Sequence, residues 1–243
     1  MSATLFAVPA SHPSLAAELM LRHKGVGYRR VDLVSAVHRG LVRALGFPGV
    51  TVPALRIDGA RVQGTRQIAL ALDALRPDPP LFPRDPSRRE QVERAESWGN
   101  EVLQPVPRRL IWAALKRDRS TLSTYLTQAK LGIPAPIAAK TAPSIIPLAA
   151  RFNRATDENA RRDLAALPGL VDRVDELIGR GTIGAAERNA ADFQIATSVS
   201  LLLTMDDTRP FIEGRPAERH ARELVPDQPG RLPRVFPAAW LQA

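Results

Sequence analysis

Residues 51–65 read Thr51-Val52-Pro53-Ala54-Leu55-Arg56-Ile57-Asp58-Gly59-Ala60-Arg61-Val62-Gln63-Gly64-Thr65, and their reading decides the fold. Two short strand-like runs, 52–57 and 60–62, flank Asp58-Gly59. That dipeptide suits a two-residue hairpin turn, where both central positions take positive φ. Pro53 has no N–H to give to a ladder, so it belongs at the entry to the first strand, at an edge or a turn. Thr65 is placed to cap a helix over 66–75, with Ile68, Leu72 and Leu75 on one face. The stretch predicts strand, strand, helix.

Working toward the N-terminus, residues 4–8 form an apolar strand candidate, followed by the breaker-rich Pro9-Ala10-Ser11-His12-Pro13. Ser14 is placed to N-cap a helix running to Lys24, with Gly25 at its C-terminal end. Residues 28–34 read as a second strand and 35–45 as a second helix. The predicted order is βαβαββα, an α+β domain with helices over a mixed sheet.

Toward the C-terminus, residues 76–86 read Arg-Pro-Asp-Pro-Pro-Leu-Phe-Pro-Arg-Asp-Pro. Prolines at that density exclude a continuous helix, because each lacks the N–H and restricts the residue before it. No convincing strand follows. Residues 88–117 have helical texture that Pro105 and Pro107 should kink. Further helices are predicted over 158–178 and 190–203. Residues 130–147 are proline-rich and read as a loop or broken helix; 215–243 read as a short helix and a proline-rich tail. The expected organisation is a first domain over 1–76, a linker over 77–86, and an all-α domain over 87–243.

Composition narrows the function classes. A chain of 243 residues with 44% hydrophobic and 24% charged residues belongs among globular proteins. Without cysteine there is no disulfide, no thiolate-bound metal centre and no cysteine nucleophile. No apolar run is long enough to span a bilayer and no signal-peptide pattern opens the chain, so a cytoplasmic protein away from membranes is expected. The net charge of +9 invites a nucleic-acid reading, but only four of the 34 basic residues are lysines. The arginines are scattered, without a basic arm or interleaved aromatics, which argues against nucleic acid. Residues 1–84 hold 11 Lys/Arg and 5 Asp/Glu, so 11 − 5 = +6 of that charge sits in the first third. The four histidines show no metal-ligand spacing, and no carboxylate pair is placed for hydrolysis.

In layout, the chain resembles the cytosolic glutathione transferase superfamily, in particular its Ser-type bacterial members of theta, zeta and beta character. The resemblance rests on four local signals. Ser11-His12-Pro13-Ser14 lies between the first strand and helix, where Ser-type members carry a catalytic hydroxyl. Thr51-Val52-Pro53-Ala54-Leu55 is similar to the loop holding a cis-proline before the third strand. Gln63-Gly64-Thr65 opens the third helix, where the family has Glu-Ser or Gln-Ser at the last two positions. Asn189-Ala190-Ala191-Asp192 is similar to the family's capping box in the helical domain. The resemblance implies a thioredoxin-like first domain and an all-α second domain, that is, the glutathione transferase fold.

It also implies a site. Glutathione, as co-substrate, would be held by His38, Val52, Pro53, Gln63, Gly64 and Thr65, and the chemistry would fall to Ser11. A free thiol has a pKa of about 8.5, and lowering it by about 2 units needs roughly 2.7 kcal/mol of preferential thiolate stabilisation. One hydrogen bond to a charged group supplies about 1.5–3 kcal/mol, so a positioned serine with a helix N-terminus suffices and no base is needed. Gly64 departs from the family, which brings a side chain to the γ-glutamyl group there; Gln63 is the available substitute, one position out of phase. The electrophile would sit between the domains, with Ser14, Gln104, Arg108 and Trp112 as candidate contacts and no metal. A homodimer is implied, with Arg66, Arg88, Arg89 and Arg94 facing Asp73, Glu90, Glu93 and Glu96 across a two-fold axis. Two alternatives stand beside this reading: a non-catalytic binding or regulatory protein on the same fold, and an enzyme using another low-molecular-weight thiol.

Overall fold

The computed structural model describes residues 2–35, 37–129 and 142–241. Four strands form one sheet: β1 (Ala3–Ala7), β2 (Arg29–Asp32), β3 (Ala54–Ile57) and β4 (Ala60–Gln63). Their order is β2-β1-β3-β4. β1 is buried along its whole length, as an interior strand must be. It pairs parallel with β2 in the register Leu5↔Arg30 and antiparallel with β3 in the register Leu5↔Leu55. The parallel pair needs a crossover, which α1 (His12–His23) provides. Asp58 and Gly59 both have positive φ, 44° and 87°, so the β3–β4 connection is the tight hairpin that its dipeptide predicts. The chain then continues through α2 (His38–Ala44), set between β2 and β3, and α3 (Thr65–Leu75) after β4.

The remaining described elements are helical: α4 (Pro86–Trp98), α5 (Pro105–Arg117), α6 (Leu122–Tyr125), α7 (Ala142–Phe152), α8 (Asp157–Gly179), α9 (Ala190–Leu203) and α10 (Pro216–Leu224). Every residue of α9 is buried, the pattern of a helix enclosed on all sides. It packs against α1, α4 and α10, so one helix ties the sheet half to the helical half. Its entry is fixed by a capping box: Asn189 Oδ1 accepts from the Asp192 N–H at 3.3 Å, and Asp192 Oδ2 accepts from the Asn189 N–H at 2.8 Å.

Several boundaries differ from the sequence reading for identifiable reasons. α1 starts three residues earlier than predicted: Ser11, not Ser14, is its N-cap, and Pro13 falls in the first turn where a missing N–H costs nothing. α3 likewise starts at Thr65 with Gly64, at φ 90°, as its N-cap, so Thr65 is the first helical residue rather than the cap. Leu75 is 40% exposed, because the helix runs past the neighbours that cover Ile68 and Leu72. The predicted kink at Pro105 and Pro107 is a π-helical turn over Gly99–Leu103 just before them, after which both prolines occupy the first turn of α5. Gly99 is there for contact: a Cβ at that position would lie 3.0 Å from Ile195 Cγ1 on α9. The reading of 130–147 as a loop or broken helix lies in part outside the described residues. From residue 142 onward it is overturned, since α7 contains Pro147 within the helix.

The segment between α3 and α4 is proline-rich as read, yet it is anchored. Leu81 and Phe82 are buried, and both their N–H groups donate to the Asp73 carboxylate, at 2.8 and 2.9 Å. Lys24, whose side chain is fully buried, reaches the same carboxylate at 2.5 Å and the Arg76 carbonyl at 2.6 Å. One buried ion pair thus joins the end of α1, the end of α3 and the connection to the helical region.

Candidate functional site

The end of β1, the start of α1 and the start of α2 open on one side of the sheet, opposite α5, α6 and α7. They enclose a cavity of about 190 Å³. Ser11, His12, Ser35, His38, Thr51 and Val52 line it from the sheet side; Arg108, Ile111, Trp112, Tyr125 and Phe152 line it from the helices.

Ser11 occupies the floor at the positive end of α1. Its Oγ accepts from the Ser14 hydroxyl at 3.0 Å and from the Ser14 N–H at 3.4 Å. A hydroxyl has two lone pairs and one proton. With both incoming donors on its lone pairs, Ser11 keeps its own proton to give to a group in the cavity. The site therefore contains a hydrogen-bond donor beside a helix N-terminus, an arrangement that favours an anion.

His12, buried in the first turn of α1, places Nε2 3.1 Å from the Gln104 carbonyl. Burial, and secondarily the positive charge of Arg108, push its pKa down to about 3. The ring is neutral at pH 7, so Nε2 carries the proton and donates to that carbonyl. His12 thereby latches the N-terminal end of α1 to the junction of the π turn and α5, across 92 residues of sequence. His38 at the start of α2 is likewise neutral, its pKa pushed down to about 4 by burial and by Arg39. Any ligand contact it makes is by neutral hydrogen bonding.

The predicted site residues divide into two groups. Ser11, His38, Val52, Arg108 and Trp112 all line the cavity. Pro53, Gln63, Gly64 and Thr65 form a neighbouring cluster: the Gly64 N–H donates to the Pro53 carbonyl at 3.0 Å, and the Val52–Pro53 peptide is cis. Gln63 does not stand in for the side chain missing at Gly64. Its Oε1 accepts from the Gly49 N–H at 2.6 Å and its Nε2 donates to the Thr51 carbonyl at 2.6 Å, so both ends of the amide hold the loop before Pro53. Ser14 is buried beneath Ser11 and supports it rather than lining the cavity. Gln104 is also buried, with its side chain turned to Asn100 and Arg108, each at 3.4 Å.

Sequence reading missed His12, Arg39 and Tyr125. Arg39 lies over the Phe152 ring at 4.8 Å and so bridges α2 to α7 across the cavity mouth. Tyr125 is buried, with its hydroxyl 2.9 Å from Thr204 Oγ1. None of these carries a local signal, because each depends on a partner far away in the chain. Among the described residues no group of three or more His, Cys, Asp or Glu could hold a metal ion. No helix among them is long and apolar enough to cross a membrane.

Comparison with known proteins agrees with this architecture. Residues 5–80 match the sequence profile of the family described as "Glutathione S-transferase, N-terminal domain". A glutathione S-transferase from Rhodospirillum rubrum F11 aligns over 98% of this chain and 98% of its own, with TM-score 0.59 and 16% identity. Glutathione transferase F2 from Populus trichocarpa covers 93% of both chains, with TM-score 0.60 and 13% identity. A maleylacetoacetate isomerase from Anaeromyxobacter dehalogenans, solved with glutathione in its active site, covers 92% of this chain and 89% of its own, with TM-score 0.54 and 20% identity. No curated protein matches the sequence. A thioredoxin-like sheet followed by a helical region is the class that the fold defines. Residues 5–80 thus match the N-terminal domain of the glutathione S-transferases, and nearly the whole chain shares the fold of solved glutathione transferases.

Proposed function

We propose that the chain is a glutathione transferase-type enzyme. In this reading the thiol of glutathione loses its proton to solvent, and the Ser11 hydroxyl donates a hydrogen bond that stabilises the resulting thiolate. The thiolate forms a carbon–sulfur bond to an electrophile held in the cavity against Arg108 and Trp112, displacing its leaving group or adding across its activated double bond. The observation that carries the reading is the hydrogen bonding of Ser11: both lone pairs are engaged by Ser14, and the remaining proton is available at the positive end of α1. Glutathione would lie along the sheet side, with His38, Val52, Pro53 and Thr65 in contact. Residues 1–76 would form the glutathione-binding domain, 77–86 the linker and 87–243 the domain that supplies the electrophile wall. The glutathione-bound neighbour supports this placement by its fold.

One observation favours the second reading, a non-catalytic protein on the same fold. Gly64 offers no side chain and Gln63 is committed to its own loop, which leaves the γ-glutamyl end of glutathione with fewer contacts. Elution of the protein from immobilised glutathione, followed by a thiol-conjugation assay, separates the two: retention with conjugation supports the enzyme, and conjugation of another low-molecular-weight thiol alone would redirect it. We also propose the superfamily's two-fold dimer through α3 and α4. It rests on resemblance, because the charges expected to match across the axis are paired within one chain: Arg66 with Glu96 at 2.5 Å, Arg89 with Glu93 at 2.9 Å, Arg94 with Glu90 at 2.8 Å and Asp73 with Lys24 at 2.5 Å. Light scattering at micromolar concentration should give twice the mass of a single chain; the single-chain mass would overturn it.

A further inference from the structure

We propose that the cavity selects an electrophile carrying a carboxylate, and that Arg108 is the residue that recognises it. This deepens the functional reading above and rests on it for the identity of the cavity as the co-substrate site.

Arg108 lies on α5 among Ile111, Trp112 and Leu115, the apolar wall of the cavity. Its guanidinium is largely removed from solvent. Nη1 donates to Gln104 Oε1 at 3.4 Å, and Nε is buried with no partner. The adjacent Arg109 shows what a satisfied arginine looks like here, with Nε and Nη2 each 2.6 Å from a separate oxygen of Asp163. Among the described residues Arg108 has no such carboxylate.

Among the described residues, the lack of a counter-ion extends to the whole cavity. None of its lining residues is Asp or Glu, although the chain contains 25 of them. The described segments around it are free of acidic residues: residues 2–17, 33–35, 37–57, 102–117, 119–129 and 142–156 contain neither Asp nor Glu. A second guanidinium, that of Arg39, stands at the mouth over Phe152. A buried cation without a partner is costly, and its fork of donors matches a carboxylate in a bidentate way. A ligand that brings its own carboxylate would supply the missing partner. The remaining cavity surface, with Ile111, Trp112, Leu115 and Phe152, suits an aromatic or apolar body. Glutathione's own carboxylates are not the expected partners, because the positions assigned to glutathione lie on the sheet side and Arg108 lies on α5.

The test uses two unreactive probes of matched shape, dinitrobenzoate and the neutral dinitrobenzamide, titrated calorimetrically into the full chain. The wild type should bind the carboxylate at least tenfold more tightly, a difference of about 1.4 kcal/mol. Arg108→Gln should erase that preference, Arg108→Lys should keep part of it, and Arg39→Gln should leave most of it. Equal binding of the two probes by the wild type would overturn the proposal, and needs no variant to fold. A preference that survives in Arg108→Gln, with an unchanged thermal midpoint, would also overturn it. Because neither probe reacts, failure of the conjugation assay would remove the transferase reading without deciding the anion site.

Discussion

Replacing Ser11 by alanine separates the two jobs assigned to one oxygen. The side chain caps α1 by accepting from Ser14, and under the proposed function it donates its own proton to a thiolate. Loss of the cap should cost about 0.5–2 kcal/mol of stability, toward the low end because the backbone contact is long at 3.4 Å. Loss of the donor should cost about 1.5–3 kcal/mol of thiolate stabilisation, which is roughly a ten- to hundredfold fall in kcat/KM near pH 6.5. The loss should shrink as the pH rises past about 8.5, where a free thiol ionises without help. Glutathione affinity should change less than rate. Ser11→Thr keeps acceptor and proton and should retain most activity. Ser11→Asp keeps the cap but puts a negative charge where the thiolate would sit, so it should be stable and inactive. The assay is kcat/KM for glutathione conjugation across pH 6–9.5, with a thermal midpoint for each variant. A loss in Ser11→Ala that is the same at every pH would refute the reasoning, since it would not arise from thiol ionisation. Full activity in Ser11→Ala with an inactive Ser14→Ala would move the assignment one helix turn.

The neutral, buried His12 makes stability acid-sensitive. Its folded pKa of about 3 lies below its unfolded value, so the unfolded chain takes the proton first; stability is complete above about pH 6.5 and is lost as pH falls toward 3. At pH 5.5 the loss is about 1.4 kcal/mol for this one group. Urea midpoints from pH 7.5 to 5 should therefore fall less steeply in His12→Asn than in the wild type, and identical slopes would count against the assignment. Asp192 acts oppositely: burial raises its folded pKa to about 6, so the folded chain binds that proton first and the carboxyl's stability penalty is relieved as pH falls below about 6. Asp73→Ala should cost about 3 kcal/mol in urea unfolding, because it strands the Lys24 ammonium and two buried N–H groups at once; a loss under 1 kcal/mol would show that the anchor is dispensable.

How much of this was legible in the sequence depends on how local each cause is. Asp58-Gly59 fixes its hairpin through two backbone torsions, so strand order around it could be read directly. The buried α9 and its Asn189–Asp192 box were legible for the same reason. Ser14 was read as the helix cap, whereas Ser11 is the cap and Ser14 lies in the first turn. A proline two residues past the cap is compatible with a helix that starts before it, and sequence alone does not choose the phase. Gln63 was misread because its partners, Gly49 and Thr51, lie in a loop whose path only the folded chain defines. Leu75 fits the helical period perfectly and still faces solvent, because periodicity describes a face and not what covers it. His12 and Gln104 meet across 92 residues, and nothing near either announces the other. The segments 102–117, 119–129 and 142–156 lack Asp and Glu, a signal that went unread in the sequence. They gain meaning only once the fold brings them round the same cavity.

The arrangement at Ser11 also accounts for why a serine, rather than a stronger acid or base, fits this position. A thiol needs only modest help to ionise, and burial pushes the pKa of the adjacent His12 down to about 3, so that ring is neutral at pH 7. A carboxylate would repel the thiolate. The hydroxyl uses its lone pairs for the helix, and under the proposed function it would give its proton to the ligand, so capping and thiol activation would draw on different parts of one group. Packing that holds α1 in place therefore serves both at once. The His12 hydrogen bond to Gln104 and the pairing of Lys24 with Asp73 fix the two ends of that helix, and no backbone strain at Ser11 itself is required, where φ is −72° and ψ is 105°. Stability and the proposed activity both draw on α1, but the far-end pair Lys24–Asp73 touches no group at Ser11, so substitutions there should shift the thermal midpoint without altering the pH dependence of the thiol.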